Sequence, residues 1–184
     1  IDGYNLKILK QCLAQKQGLM LVSGATGSGK TTTLYACLDY LNKSGLNIMT
    51  LEDPVESCLN YASQMEISQG VGYVDGIRSI LRQDPDVILV GEIRDEDTAK
   101  MAFRAAMTGH LVLSTIHTQG LVGILARLDD LGIKQHMVEE FLLCSMYQEL
   151  QPQYHEKCNM TGCLECLGTG VIGRVLKFQL KSNG

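Results

Sequence analysis

Gly24-Ala25-Thr26-Gly27-Ser28-Gly29-Lys30-Thr31 satisfies G-x-x-x-x-G-K-[ST], and its neighbours supply the setting such a loop requires. The apolar run Leu19 to Val22 leads into it as a buried strand. Thr31 to Leu41 follows as a helix with Leu34, Leu38 and Leu41 on one face. Between the two, glycines let the chain curl until backbone N–H groups point inward, and the new helix adds its positive end. That geometry suits phosphate. Gly24, Thr26, Gly27, Ser28, Gly29 and Thr32 are the expected nucleotide cradle. Lys30 would reach the β- and γ-phosphates, and the Thr31 hydroxyl would ligate magnesium. An ordinary glycine-rich turn is the competing reading, and the complete motif between a strand and a helix disfavours it.

Outward from the loop, strands alternate with helices, which argues for an α/β fold with a mostly parallel central sheet flanked by helices. Ile1 to Gln17 reads as a helix ending at Gly18. Asn47 to Leu51 reads as a strand after the turn residues Ser44-Gly45. Asp75 to Arg82 is an expected helix, stopping before Asp84-Pro85 because the residue before proline is pushed out of the α region. Val87 to Val90 and Leu111 to Ile116 are expected strands, with a helix from Asp95 to Thr108 between them. Helices are expected at Leu121 to Leu131 and Gln135 to Leu150. After Pro152 the composition turns Cys/Gly-rich, so a core over residues 1–150 and a small Cys-rich segment over 151–184 are expected.

Composition bounds the class. A chain of 184 residues with 45% apolar content can bury one good core. Its apolar runs are too short to cross a bilayer and no signal sequence opens it, so any membrane association is expected through partners. A net charge of -4 offers no global reason to bind nucleic acid. Arg78, Arg82, Arg94 and Arg104 form either a local basic patch or solvated surface. Seven cysteines, an odd number without a signal peptide, argue against a secreted disulfide framework and for a cytoplasmic protein. Cys12, Cys37, Cys58 and Cys144 are scattered and read as packing residues.

A phosphate loop needs a carboxylate at the end of a neighbouring strand, and Glu92 follows Val87 to Val90 closely. It is the candidate to hold magnesium or polarise the attacking water. A second acidic group, Glu52-Asp53-Pro54-Val55-Glu56, follows Asn47 to Leu51 and falls at the same sheet edge, where parallel α/β sheets bind ligands. Glu52, nearest the strand end, is the first candidate for general base, with Glu56 behind it; an acidic turn shaped by Pro54 is the alternative. His110 and His117 bracket the strand Leu111 to Ile116 and lie roughly 20 Å apart by strand geometry. His117, at the C-terminal end, is the better phosphate sensor; His110 is as readily structural.

Together these motifs resemble the hexameric ATPases of type II secretion and type IV pilus assembly, including those of the competence pilus. GATGSGKTTTLY at Gly24 to Tyr35 resembles that family's Walker A, and TLEDPVE at Thr50 to Glu56 its acidic "Asp box". LRQDPDVILVGEIRDEDTA at Leu81 to Ala99 resembles its Walker B region, and TGHLVLSTIHT at Thr108 to Thr118 its histidine box. The resemblance is dense from Ile1 to about Arg127 and weakens beyond. It implies a RecA-like P-loop NTPase that hydrolyses ATP with Mg2+ at the interfaces of a homo-hexamer and moves an inner-membrane platform protein. By that likeness Glu52 is the catalytic carboxylate, Glu92 assists the metal, and His110 and His117 belong to the histidine box. The family's N-terminal domain, which by the resemblance supplies arginines to the nucleotide, is expected to be missing from this stretch. It is therefore expected to bind nucleotide and turn it over slowly.

The C-terminus departs from the family pattern. Where the family has Ala-Gln-Arg-Leu, this chain has Tyr147-Gln148-Glu149-Leu150; where the family has two C-x-x-C pairs that bind zinc, it has His155-x2-Cys158 and Cys163-x2-Cys166. Zinc accepts Cys₃His ligation, but only four residues separate the half-sites, so a zinc site and a degenerate knuckle with free thiols both stand. Three functions remain at this point: an assembly motor, a non-hydrolysing nucleotide-dependent scaffold, and a DNA-translocating motor. The presence of both Glu52 and Glu92 argues against the second. The acidic composition argues against the third.

Overall fold

The computed structural model describes residues 3–43, 45–67 and 70–183. Helix α1 (Gly3–Leu13) leads to strand β1 (Gly18–Ser23), the phosphate loop and helix α2 (Lys30–Asn42). Strands β2 (Ile48–Glu52) and β3 (Ala62–Glu66) precede α3 (Tyr73–Ile80), β4 (Val87–Val90) and α4 (Glu96–Met107). Strand β5 (Leu111–Ile116), helices α5 (Leu121–Asp130) and α6 (Gln135–Phe141), and strands β6 (Leu142–Tyr154) and β7 (Val171–Ser182) complete the chain.

All seven strands form one sheet in the order β3-β2-β4-β5-β1-β6-β7. Every neighbouring pair is parallel except β6 with β7. β1, β4 and β5 are buried along their whole length, as parallel strands covered on both faces must be. Because side chains alternate across a strand, each strand feeds both layers. Leu19, Leu21, Ile88, Val90 and Val112 pack against α3, α4 and α5. Met20, Val22, Leu89, Leu113 and Met146 pack against α1 and α2. Among the described residues no helix is long and apolar enough to cross a membrane.

The expected α/β architecture with a mostly parallel sheet is present, and several elements differ from expectation. α1 stops at Leu13, and Gly18 opens β1 instead of closing a helix. The expected starts at Ile1 and Asp2, and the turn residue Ser44, lie outside the described residues. The long helix expected from Gln135 to Leu150 is overturned: α6 ends at Phe141, and Leu142 begins a strand that pairs in parallel with β1. The run Leu142-Leu143-Cys144-Ser145-Met146 fits either period, and the open edge of β1 decides for the strand. β3 and β7 carry no expected element. β3 is a short polar edge strand without a strong pattern. β7 alternates at Leu176, Phe178 and Leu180, a signal that was legible. The expected boundary at 150/151 falls inside β6, which runs on without a break to Tyr154.

Candidate functional site

Parallel pairing puts the C-terminal ends of β1, β2, β4 and β5 on one edge of the sheet. Ser23 ends β1, Glu52 ends β2, Glu92 follows β4 by two residues, and His117 follows β5 by one. A cavity of about 470 Å³ opens there, lined by Gly27, Lys30, Thr31, Glu52, Glu56, Tyr73, Glu92, Arg94 and His117 among others. Strand ends at a common edge are why Glu52, Glu92 and His117 meet at one cavity.

The phosphate loop enters this cavity with the left-handed geometry its glycines allow. Gly29 sits at φ 88 as the N-cap of α2, a conformation that strains any residue bearing a Cβ. Gly24 has φ +146, and a Cβ there would lie 2.2 Å from the carbonyl oxygen of Gln148 on β6. Lys30 Nζ donates to the carbonyls of Gly24 and Ala25 at 3.0 Å each. Burial lowers its pKa, and the Glu92 and Glu56 carboxylates oppose that shift.

Glu52 is 3% exposed and receives three donors. Thr50 Oγ1 donates at 2.5 Å, Gln64 Nε2 at 3.1 Å, and the Tyr35 hydroxyl makes a short hydrogen bond. Gln64 cannot turn its amide over, because its oxygen accepts from the Leu59 N–H at 2.7 Å. Burial first, then the hydrogen bond to Glu52, pushes Tyr35 up to about 12, so the phenol stays a donor near neutrality. A carboxylate offers about four acceptor positions, so three donors leave room for one more partner.

Glu92 pairs with the Arg94 guanidinium on one oxygen and lies 3.5 Å from His117 Nε2 on the other. Its backbone is held by Ile93 N–H to the Thr115 carbonyl at 2.9 Å and Thr115 Oγ1 to the Gly91 carbonyl at 2.8 Å. Thr31 Oγ1 donates to Glu56 at 3.0 Å. Thr31 and Glu92, a hydroxyl and a carboxylate facing one cavity, are the oxygen donors that suit magnesium.

His110 stands apart from this group. It lies before β5, at the opposite end from the cavity, where its Nδ1 is 2.9 Å from the Ala105 carbonyl behind α4. Arg94, Tyr35, Thr50, Gln64 and Tyr73 went unread as site residues. From the sequence Arg94 reads as part of a local basic patch or as solvated surface, although its place two residues after Glu92 is a usable signal. Tyr35 and Gln64 had none, because their approach to Glu52 depends on how α2 and β3 pack.

A second cluster lies at the far end of the β6–β7 hairpin. The ligand atoms of His155, Cys158, Cys163 and Cys166 all lie within 4.8 Å of one another. Cys158 Sγ is 3.9 Å and Cys163 Sγ 3.8 Å from Cys166 Sγ, and His155 Nδ1 is 3.3 Å from Cys163 Sγ. Bonds of about 2.3 Å to sulfur in a tetrahedron put ligands about 3.8 Å apart, so the set fits one zinc ion. His155 Nε2 meets Glu165 at 3.2 Å, a partner that fixes the ring with Nδ1 facing the thiols. Burial opposes the Cys166 thiolate, yet the His155 hydrogen bond and backbone bonds around Cys163 and Gly170 outweigh it and bring the thiol down to about 6. Positive φ at Asn159, Met160 and Gly162 turns the chain tightly enough to join half-sites four residues apart.

The comparisons agree with this architecture. A family described as "Type II/IV secretion system protein" matches residues 2–182. The type II secretion system protein E of Pectobacterium carotovorum subsp. carotovorum is 42% identical over 196 residues, covering 93% of this chain and 39% of that protein. The type IV pilus assembly ATPase TfpB of Acinetobacter baylyi is 45% identical over 212 residues, covering 98% of this chain and 36% of its own length. The chain thus spans well under half of either relative. The crystal structure of the pilus retraction motor PilT with bound ADP superimposes with a TM-score of 0.78 at 34% identity, over 96% of this chain and 50% of that one. With a matching family model along nearly its whole length and relatives above 40% identity, the chain belongs to the type II/IV secretion system protein family.

Proposed function

We propose that this chain is the ATP-hydrolysing motor domain of a machine that assembles a type II secretion pseudopilus or a type IV or competence pilus. The observation that carries the reading is the meeting of Lys30, Thr31, Glu52, Glu92 and His117 at one cavity on the C-terminal edge of the sheet. Backbone N–H groups from Gly24 to Gly29 cradle the phosphates, and Lys30 leaves the Gly24 and Ala25 carbonyls to meet the β- and γ-phosphate oxygens. Thr31 and Glu92 would hold magnesium, which would supply neutralisation of phosphate charge. Glu52 takes a proton from the attacking water as its oxygen bonds to the γ-phosphorus and the bond to the ADP oxygen breaks, leaving ADP and inorganic phosphate. His117, beside Glu92, senses the γ-phosphate.

The working assembly is a homo-hexamer on the cytoplasmic side, joined to the membrane through a platform protein. Magnesium-dependent ATP turnover by the full-length protein tests the motor reading. Release of phosphate that stops on magnesium removal is expected. Tight nucleotide binding with no turnover under any assembled state would favour a nucleotide-dependent scaffold instead.

The His155-Cys158-Cys163-Cys166 cluster would hold a structural zinc ion, which would pin the tip of the β6–β7 hairpin. Protein purified without chelator is expected to carry about one zinc per chain, and Cys163→Ser to lose it. Metal analysis decides the point: a zinc-free parent would leave the cluster as free thiols.

A further inference from the structure

We propose that Gln148, on β6, is a positioning residue that sets the phosphate loop in its binding conformation. The inference rests on the nucleotide reading of the site and names a residue outside the loop that the reading needs.

Gln148 is fully buried and grips the loop at two points. Its Nε2 donates to the Ser28 carbonyl at 2.7 Å. Its own backbone carbonyl lies so near Gly24 that a Cβ there would sit 2.2 Å away. The strand fixes the backbone from which this grip is made, since Tyr147 pairs with Ser23 at the end of β1. β6 therefore runs beneath the loop where it leaves the sheet.

The Ser28 carbonyl and the Gly29 N–H belong to one planar trans peptide, so they point in opposite directions. Holding the carbonyl down on β6 turns the Gly29 N–H away from the strand, and Gly29 lines the cavity. A single hydrogen bond from Gln148 thereby aims a donor that phosphate needs.

A purely structural role accounts poorly for this residue. Gln148 Oε1 and Ser28 Oγ are both buried without a hydrogen-bond partner among the described residues. Each such atom costs stability, and an apolar side chain of similar shape would remove the one on Gln148 while releasing the Ser28 carbonyl.

Gln148→Glu and Gln148→Met separate the possibilities in the full-length protein. The first keeps the shape and sets a carboxylate oxygen against the Ser28 carbonyl; the second keeps the length and removes both polar atoms. Both are expected to raise KM for ATP about 10-fold with kcat within about 3-fold of the parent, the pattern of lost binding energy. Gln148→Met removes the unpaired Oε1 and releases the Ser28 carbonyl, opposing changes that are expected to keep its nucleotide-free melting temperature within a few degrees of the parent, and it is expected to lose most of the stabilisation that saturating ADP gives the parent. An unchanged KM in Gln148→Met overturns the proposal, as does a KM change that merely follows a lowered melting temperature. Should Gln148→Glu fail to fold, Gln148→Met carries the test alone. A parent that binds no nucleotide would instead remove the underlying reading, which keeps the two failures distinct.

Discussion

Glu52→Gln is expected to lower ATP turnover by about 10²–10⁴-fold, the range typical of a lost general base, while ATP affinity stays within a few-fold. The substitution keeps the volume of a side chain that is 3% exposed. It leaves Thr50, Gln64 and Tyr35 around a neutral amide in place of a carboxylate. What it removes is the group able to accept the proton of water. The contacts that hold phosphate lie elsewhere, on the loop and Lys30, so binding survives. Single-turnover measurement with excess protein isolates the chemical step from product release. Parent-like turnover in Glu52→Gln would transfer the base to Glu56 or Glu92.

Lys30→Ala is expected to weaken ATP binding by about 100-fold or more. Two charge-assisted hydrogen bonds to phosphate oxygens are lost, each worth roughly 1.5–3 kcal/mol. The substitution also removes the partners of the Gly24 and Ala25 carbonyls, at a part of the loop where water can replace them. Burial disfavours the Lys30 charge more than the Glu92 and Glu56 carboxylates favour it, so the charge gains from a further anion within reach. Phosphate supplies that anion. Equilibrium titration with a fluorescent ADP analogue reads the effect, and affinity within about threefold of the parent would sink the phosphate role of Lys30.

The contrast between these two residues shows what was legible. Lys30 is read from eight consecutive residues, because the loop's function depends on local geometry: glycine conformations, a helix start, a lysine one position in. Glu52 and Glu92 were legible as strand-end carboxylates because parallel strands place all their C-termini on one edge. The environment of Glu52 was not. Tyr35 comes from α2, Gln64 from an edge strand with no pattern of its own, and only their packing brings both to one carboxylate.

β6 marks the same limit. Leu142 to Met146 suits a helix or a strand, and choosing the helix hid the strand that lies beside β1 and carries Gln148 under the phosphate loop. It also hid the hairpin that lifts His155 and its three cysteines away from the core. The spacing H-x2-C-x4-C-x2-C named the four candidate ligands; the turns at Asn159, Met160 and Gly162 bring their ligand atoms within 4.8 Å of one another.

By itself the sequence determined the alternation of strands and helices, the phosphate loop and the carboxylates that face it, since each depends on neighbours within a few residues or on the rule that parallel strands share an end. Only the tertiary structure decided the pairing of β6 with β1, the three donors on Glu52, and the hold of Gln148 on Ser28. Those depend on contacts between residues up to 124 positions apart, as Ser23 is from Tyr147. Their energy comes from pairing an open strand edge and satisfying buried polar groups, terms that no local propensity contains.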